Sequence, residues 1–279
     1  MRYANTFKNI VKSTIKDDCL GMASSMAFNF MLAIFPFLIG TTALFGILGT
    51  EETVNDIIVS IRTIAPPDAL SVIERTLRET ITSNSKGVLT LSFLVGILFA
   101  SNAINMLMKF LNRAYGVPET RKIWKIRALT LWIIILFFLA IFVITNMIIM
   151  GRVILDFLDH YIGIQDTTIN IINFARWPVT FLTLFLIGFI IYYFMPNISA
   201  TVKSKILSSL PGTLFFTAGW LGVSRLFGLY VENIAQFSRV YGALGAVIIL
   251  LLWLYYTSLV ILVGGEVNSE FYRYYKARE

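Results

Sequence analysis

The stretch YGALGAVIILLLWLYYTSLVILVGGEVN, residues 241–268, is about as long as a bilayer crossing and is apolar almost throughout. Gly242 and Gly245 lie one turn apart, so one face near its start lacks bulk and another helix can approach closely. Tyr256 and Glu266 place a hydroxyl and a carboxylate where lipid alone would not satisfy them. This pattern predicts a transmembrane helix at the centre of a bundle.

The whole chain has the composition of an integral membrane protein. Of its 279 residues, 57% are hydrophobic and 14% are charged, and the charges cluster between long apolar runs. We therefore predict an all-α polytopic membrane protein with six transmembrane helices and short external amphipathic helices. No linker rich in Pro, Gly or Ser divides it, which favours one domain over residues 1–279. The predicted spans are about 20–48, 88–112, 128–150, 177–195, 211–230 and 241–266.

The distribution of charge predicts the orientation and the lipid partners. The formal net charge is +7, and basic residues concentrate in the two termini and in the second and fourth connections. Because basic loops stay in the cytoplasm, both termini are predicted to be cytoplasmic. We expect these loops to contact anionic lipids and not nucleic acid. The basic residues on that side are Arg2, Lys8, Lys12, Lys16, Arg113, Arg121, Lys122, Lys125, Arg127, Lys203, Lys205, Arg273, Lys276 and Arg278.

Three segments outside the spans show helical periodicity. Residues 5–16 combine one apolar face with a row of lysines, which is typical of a helix on an anionic membrane surface, although a solvated basic tail has the same charge. Segments 49–87 and 150–163 are predicted to hold external amphipathic helices. We interpret the external helices as a structural cap in preference to a gate or a partner surface.

Polar side chains inside the spans fall on narrow faces. Such a face must contact protein or water, because lipid cannot satisfy it. One interpretation is that these side chains hold the helices together; the other is that they line a polar cavity open to the cytoplasm. The candidate cavity or substrate residues are Asn29, Ser101, Asn102, Asn105, Lys109, Thr217, Arg225, Tyr256 and Glu266.

Depth along the spans predicts particular partners. Lys109 and Glu266 both lie near cytoplasmic ends, so we expect them to approach each other directly or through water. Arg225 lies farther outward, and we expect it to contact Asn146, Glu232 or a lipid phosphate.

Signatures of catalysis are missing from the sequence. There is no HExxH, GxSxG or GxxxxGK[ST] pattern, and Cys19 is the only cysteine. Asp17 and Asp18 directly precede the first span, where an acidic pair more often caps a helix than binds a metal. We therefore expect a protein that is not an enzyme, with no cofactor and no metal.

Three stretches together resemble the YihY/virulence factor BrkB family of bacterial inner-membrane proteins. They are DDCLGMASSMAFNFMLAIFPFLIG (17–40), NMLMKFLNRAYGVPETRKIWKIR (105–127) and the run from Pro211 to Asn268, which contains FGLYVENIAQFSRVYGALGAVIILLLWLY. The resemblance implies six transmembrane helices, a multi-pass inner-membrane protein and a role in the cell envelope. It carries over no catalytic residues, and the family's former label of ribonuclease BN is regarded as mistaken.

Two functions from different classes remain open. The first is a transporter or flippase-like protein that moves a polar lipid or small solute, without a nucleotide site and therefore passively or by coupling to an ion gradient. The second is a non-transporting membrane scaffold for envelope machinery. A homo-oligomer is compatible with the small-residue faces, and neither the substrate nor the coupling ion can be deduced from this pattern.

Overall fold

The structure, a computed structural model, describes residues 2–48, 86–137, 139–140, 166–233 and 235–276. These residues fold into seven α-helices, consistent with the all-α prediction. They are α1 (Arg2–Lys16), α2 (Cys19–Leu48), α3 (Lys86–Ala114), α4 (123–137), α5 (Asp166–Phe194), α6 (Val202–Asn233) and α7 (Ala235–Lys276). The predicted external helices in 49–87 and 150–163 lie almost entirely outside the described residues.

Two of the helix ends are set by residues with positive φ. Asp18 has φ of 52° between α1 and α2, and its Oδ1 accepts a hydrogen bond from the N–H of Gly21 at 3.2 Å. Gly116 has φ of 67° after α3. There the N–H of Val117 donates to the carbonyl of Asn112 at 2.9 Å, which is the hydrogen-bond pattern of a glycine-terminated helix. Asp18 therefore caps a helix start, as predicted for the acidic pair.

Three helical segments are long and apolar enough to cross a membrane, judged on the described residues alone. They are Leu94–Ala114 in α3, Val202–Tyr230 in α6 and Val247–Lys276 in α7. Two shorter apolar helices, Cys19–Ile34 and Pro178–Phe194, accompany them. These three segments agree with the predicted spans in length and composition, and the number six stays a prediction.

The described chain forms two compact units, and each is described by itself. The first unit comprises the described parts of Met1–Ser24, Ile104–Gly228 and Tyr255–Glu279, and the second those of Ser25–Ala103 and Leu229–Leu254. The prediction of a single domain stays a prediction. In the first unit the largest fully buried side chains come from α3, α4, α5, α7 and the residue directly after α5: Tyr192, Phe110, Ile104, Leu107, Met108, Leu111, Ile133, Ile191, Met195 and Ile261.

Within the first unit, α6 and α7 approach each other backbone to backbone. A Cβ atom built on Gly212 would collide with the carbonyl oxygen of Gly264, and one built on Gly264 would collide with the hydroxyl of Tyr192. Small residues allow this contact, as is common between membrane helices. Tyr192 also donates a hydrogen bond of 2.7 Å to the carbonyl of Ile261, which joins α5 to α7.

Candidate functional site

The most unusual polar group of the first unit is the carboxylate of Glu266. It lies within the membrane-length segment of α7, and the residue is 1% exposed. Its Oε2 is 3.4 Å from the hydroxyl of Ser269, and its Oε1 has no hydrogen-bond partner. A buried acceptor without a partner is costly, and an ionisable side chain inside a membrane helix is commonly functional.

Charged groups from two other elements and from α7 itself surround this carboxylate or pair with its neighbours. Asp17, in the turn between α1 and α2, lies beside Glu266, and so does Arg273, about two turns farther along α7. Asp17 forms an ion pair of 3.3 Å with Arg113 of α3. Cys19, at the start of α2, is fully buried next to both carboxylates. The cluster thus sets two carboxylates side by side and flanks them with two arginines.

Arg273 links the cluster to the main chain of α3. Its Nη2 donates to the hydroxyl of Ser269 at 3.1 Å and to the carbonyl of Ala114 at 3.3 Å. On the exposed side, its Nη1 is 3.5 Å from Glu270, which also accepts a hydrogen bond of 2.8 Å from Asn9 of α1. These contacts of Arg273 and Glu270 join α1, α3 and α7 next to the buried carboxylate of Glu266.

A second polar cluster joins the connection after α3 to the connection after α5. Arg121 binds Glu119 through two hydrogen bonds of 2.6 and 2.7 Å, and its Nη2 donates to the carbonyl of Met195 at 2.7 Å. Asn112 donates to Glu119 at 2.7 Å and accepts from the N–H of Asn197 at 2.7 Å. We call these five residues the loop clasp. Its further hydrogen bonds go to Phe194, Pro118 and Thr120 beside it, so its polar groups are used in joining the two connections, which fits a structural role.

The predicted cavity residues of the first unit fall into two groups. Asn105 accepts a hydrogen bond of 2.9 Å from Thr130, and fully buried Thr217 donates to the carbonyl of Thr213 at 2.9 Å. The first contact joins α3 to α4, as expected of a side chain that holds helices together, whereas the second lies within α6. The side chains of the second group, Lys109, Arg225 and Tyr256, are exposed.

The charged groups that act on Glu266 in the described chain are Asp17 and Arg273. The expected approach of Lys109 to Glu266, directly or through water, stays a prediction. Of the partners expected for Arg225, Asn146 and the side chain of Glu232 lie outside the described residues.

In the second unit, the three predicted residues are placed on two helices. Asn29 is half-buried and donates a hydrogen bond of 2.9 Å to the carbonyl of Ser25. Ser101 is buried, whereas Asn102 is exposed. Whether these residues line a cavity together with those of the first unit stays a prediction.

Sequence reasoning missed the residues that surround Glu266. Asp17, Arg113 and Arg273 were read as a helix cap and as loop or tail charges. One feature of the sequence pointed to them. Each lies at the end of a predicted span that the charge distribution places on the cytoplasmic side of the membrane, as it does the end of α7 that carries Glu266. Depth alone did not say which of several basic residues would reach the carboxylate.

The architecture defines a helical membrane protein, and the comparisons with known proteins identify its family. The model of the virulence factor BrkB family matches residues 10–279. The chain belongs to this family, as the resemblance in its sequence predicted.

The similar proteins include one of related length and several called membrane proteins. The putative ribonuclease-like protein YfkH of Bacillus subtilis is 30% identical over 247 residues, which are 88% of either chain. A UPF0761 membrane protein of Prosthecochloris aestuarii is 25% identical over 259 residues, which cover 91% of this chain and 58% of that one. The UPF0761 membrane protein YihY of Shigella boydii is 28% identical over 90 residues, 32% of this chain and 30% of that one. No solved structure matches this chain.

Proposed function

We propose that this protein is a transporter of the bacterial inner membrane, with both termini in the cytoplasm, that moves a polar lipid or a small solute. The observation that carries the proposal is the buried Glu266 carboxylate with one unpartnered oxygen inside a membrane-length helix. Membrane proteins keep such a group at a cost, and they do so chiefly in ion and substrate pathways.

The chemistry around Glu266 fits coupling to an ion gradient. Asp17 and Glu266 are two carboxylates placed side by side, and a proton or a small cation between them would relieve their repulsion. Arg113 and Arg273 neutralise part of the negative charge of the two carboxylates. Binding or release of one positive charge would therefore change the net charge of the cluster. A transporter without a nucleotide site needs such an exchangeable charge if it moves its substrate uphill.

The exposed cations give the proposed substrate path its polar contacts. Lys109 and Arg225 are exposed on membrane-length helices, where a phosphate or carboxylate of the substrate would pair with them. In this proposal Tyr256 of the first unit supplies a neutral hydrogen bond to the substrate. Thr217 serves packing, since its hydroxyl is satisfied within α6.

The test is transport by the purified chain in liposomes. Leaflet exchange of a fluorescent phospholipid and flux of small organic anions would be measured with and without a pH gradient, against protein-free liposomes. We expect the wild type to accelerate one of these processes, and Lys109→Ala and Arg225→Ala to slow it. A wild type that moves none of the probes under any gradient would contradict the proposal.

The alternative function, a membrane scaffold, is favoured by one observation. The contact of α6 with α7 is sealed by Gly212 and Gly264, and the hydroxyls of Thr213 and Thr217 bond to their own helix. Helices that pack this tightly suit a protein whose function requires no conformational change. The liposome experiment separates the two functions, because a scaffold leaves flux at the protein-free level.

A further inference from the structure

Lys205, in the first turn of α6, is a half-buried cation in an unfavourable electrostatic environment. The charged group that acts on it is Arg121, which has the same sign, and no carboxylate forms an ion pair with it in the described chain. Its position near the start of α6 adds the positive end of the helix dipole. Repulsion from Arg121 and the positive end of the helix dipole both oppose a cation at this place, and both would stabilise an anion next to it.

The contact that Lys205 does make leaves most of its hydrogen-bonding capacity unused. Its Nζ lies 4.5 Å from the centre of the Tyr193 ring, so the ring face attracts the ammonium group. An ammonium group has three N–H donors, and one ring face engages at most one side of it. The preceding residue, Ser204, is buried and its hydroxyl has no hydrogen-bond partner.

The surroundings of Lys205 have the character of a membrane interface. The membrane-length segment of α6 begins at Val202, so its first turn lies at one end of the crossing. Trp132 of α4 and Phe194 of α5 are exposed and pack edge to face at 5.5 Å, and Phe194 contacts Tyr193 at 4.8 Å. Exposed aromatic rings next to basic side chains are typical of the headgroup layer.

From this arrangement we propose that Lys205, with the Tyr193–Phe194–Trp132 aromatic row, binds the phosphate headgroup of an anionic phospholipid. The ammonium group of Lys205 contacts the phosphate, and the exposed rings contact the upper acyl chain. Basic side chains between membrane helices bind anionic headgroups in this way. The site differs from a general attraction of basic loops to the membrane because it is discrete, and it does not depend on transport.

The experiment is lipid binding by the full chain, measured by native mass spectrometry in detergent with phosphatidylglycerol and, separately, phosphatidylcholine. We expect a bound phosphatidylglycerol whose affinity falls about fivefold in Lys205→Gln, the loss typical of one cation near an anionic headgroup. Lys205→Arg keeps the charge and is expected to keep the affinity. Lys125→Gln is the matched control, because Lys125 lies 5.6 Å over the exposed ring of Trp124 in the same kind of contact.

The outcomes that overturn the proposal are distinct. Equal affinity of wild type and Lys205→Gln for phosphatidylglycerol would remove Lys205 from the site. Equal losses in Lys125→Gln and Lys205→Gln would leave only a general charge effect. Displacement of the lipid by millimolar inorganic phosphate or glycerol phosphate would identify a soluble phosphate site instead. Thermal unfolding of each variant, unchanged from wild type, excludes misfolding as the cause of a loss.

Discussion

The amide N–H of Gly212 donates a hydrogen bond of 2.6 Å to the Oδ1 of Asn268, so a side chain of α7 binds the main chain of α6. Pro211 precedes this amide inside α6. Proline distorts the helix around it, and a polar side chain from a neighbouring helix can then satisfy a main-chain group. The bond holds α6 against α7 at the level of the buried carboxylate cluster, two residues from Glu266.

The close approach at Gly212 predicts a large effect of one added methyl group. In Gly212→Ala the new Cβ collides with the carbonyl oxygen of Gly264, a main-chain atom that cannot move aside cheaply. We expect a loss of about 3 kcal/mol in the free energy of unfolding, measured as a lower melting temperature of the purified protein. Gly222→Ala is the control, because no atom lies within 4 Å of its Cβ position. A Gly212→Ala variant that melts like wild type would refute the helix contact.

The hydrogen bond between Tyr192 and Ile261 predicts a smaller effect. Tyr192→Phe removes only the hydroxyl that joins α5 to α7, which costs about 1 kcal/mol. We expect a fall of about 2–4 °C in melting temperature. Tyr256→Phe, at an exposed tyrosine of α7, should leave the melting temperature unchanged. Equal effects of the two substitutions would argue against the bond.

The loop clasp predicts that arginine is required at position 121. Lysine carries the same charge, but it cannot bind both oxygens of Glu119 and the carbonyl of Met195 at once. In Arg121→Lys we expect hydrogen–deuterium exchange in 117–121 and 195–197 to quicken about tenfold or more. Lys122→Ala changes an exposed neighbour and should leave exchange unchanged. Unaltered protection in Arg121→Lys would contradict the proposed geometry.

The clasp also predicts a dependence on pH. Hydrogen bonds from Arg121 hold the pKa of Glu119 below its usual value, mainly through the side-chain contact. A lowered pKa in the folded state means that the clasp stabilises the protein above the unfolded pKa of about 4.3, and that this contribution is lost as the pH falls through the folded pKa. We expect protection of 117–121, corrected for intrinsic exchange rates, to be constant from about pH 7 to 5 and to fall below about pH 4. Glu119→Gln should lack this change; if it shows the same fall, another group is responsible.

The sequence predicted the helices better than the contacts between them. Apolar runs bounded by charge located α2, α3 and α7, because the bilayer sets a minimum length for a crossing. It predicted a span at about 177–195, and an apolar helical segment, Pro178–Phe194, lies there within the longer α5. The helix predicted over 5–16 is confirmed as Arg2–Lys16, and its position on the membrane surface stays a prediction.

The candidate site was predicted only in part, and the reason is geometric. A rise of about 1.5 Å per residue gives the depth of Glu266 but not which helices lie beside it. Thr217 looked like a cavity residue because a hydroxyl stripe must be satisfied, yet its own helix satisfies it. Lys205 was predicted only as one of the basic residues on the cytoplasmic side. Its contact with Tyr193 depends on the packing of α6 against α5, which the sequence pattern does not specify.

The most direct test of the account is flux through proteoliposomes that contain Glu266→Gln. The substitution keeps the shape of the side chain and removes its exchangeable charge, while Glu270→Gln makes the same change one turn away at a partly exposed carboxylate that pairs with Arg273. If Glu266 serves transport, the flux of the wild type is lost in Glu266→Gln and kept in Glu270→Gln, with melting temperatures unchanged. Wild-type flux in a folded Glu266→Gln protein would contradict the central claim.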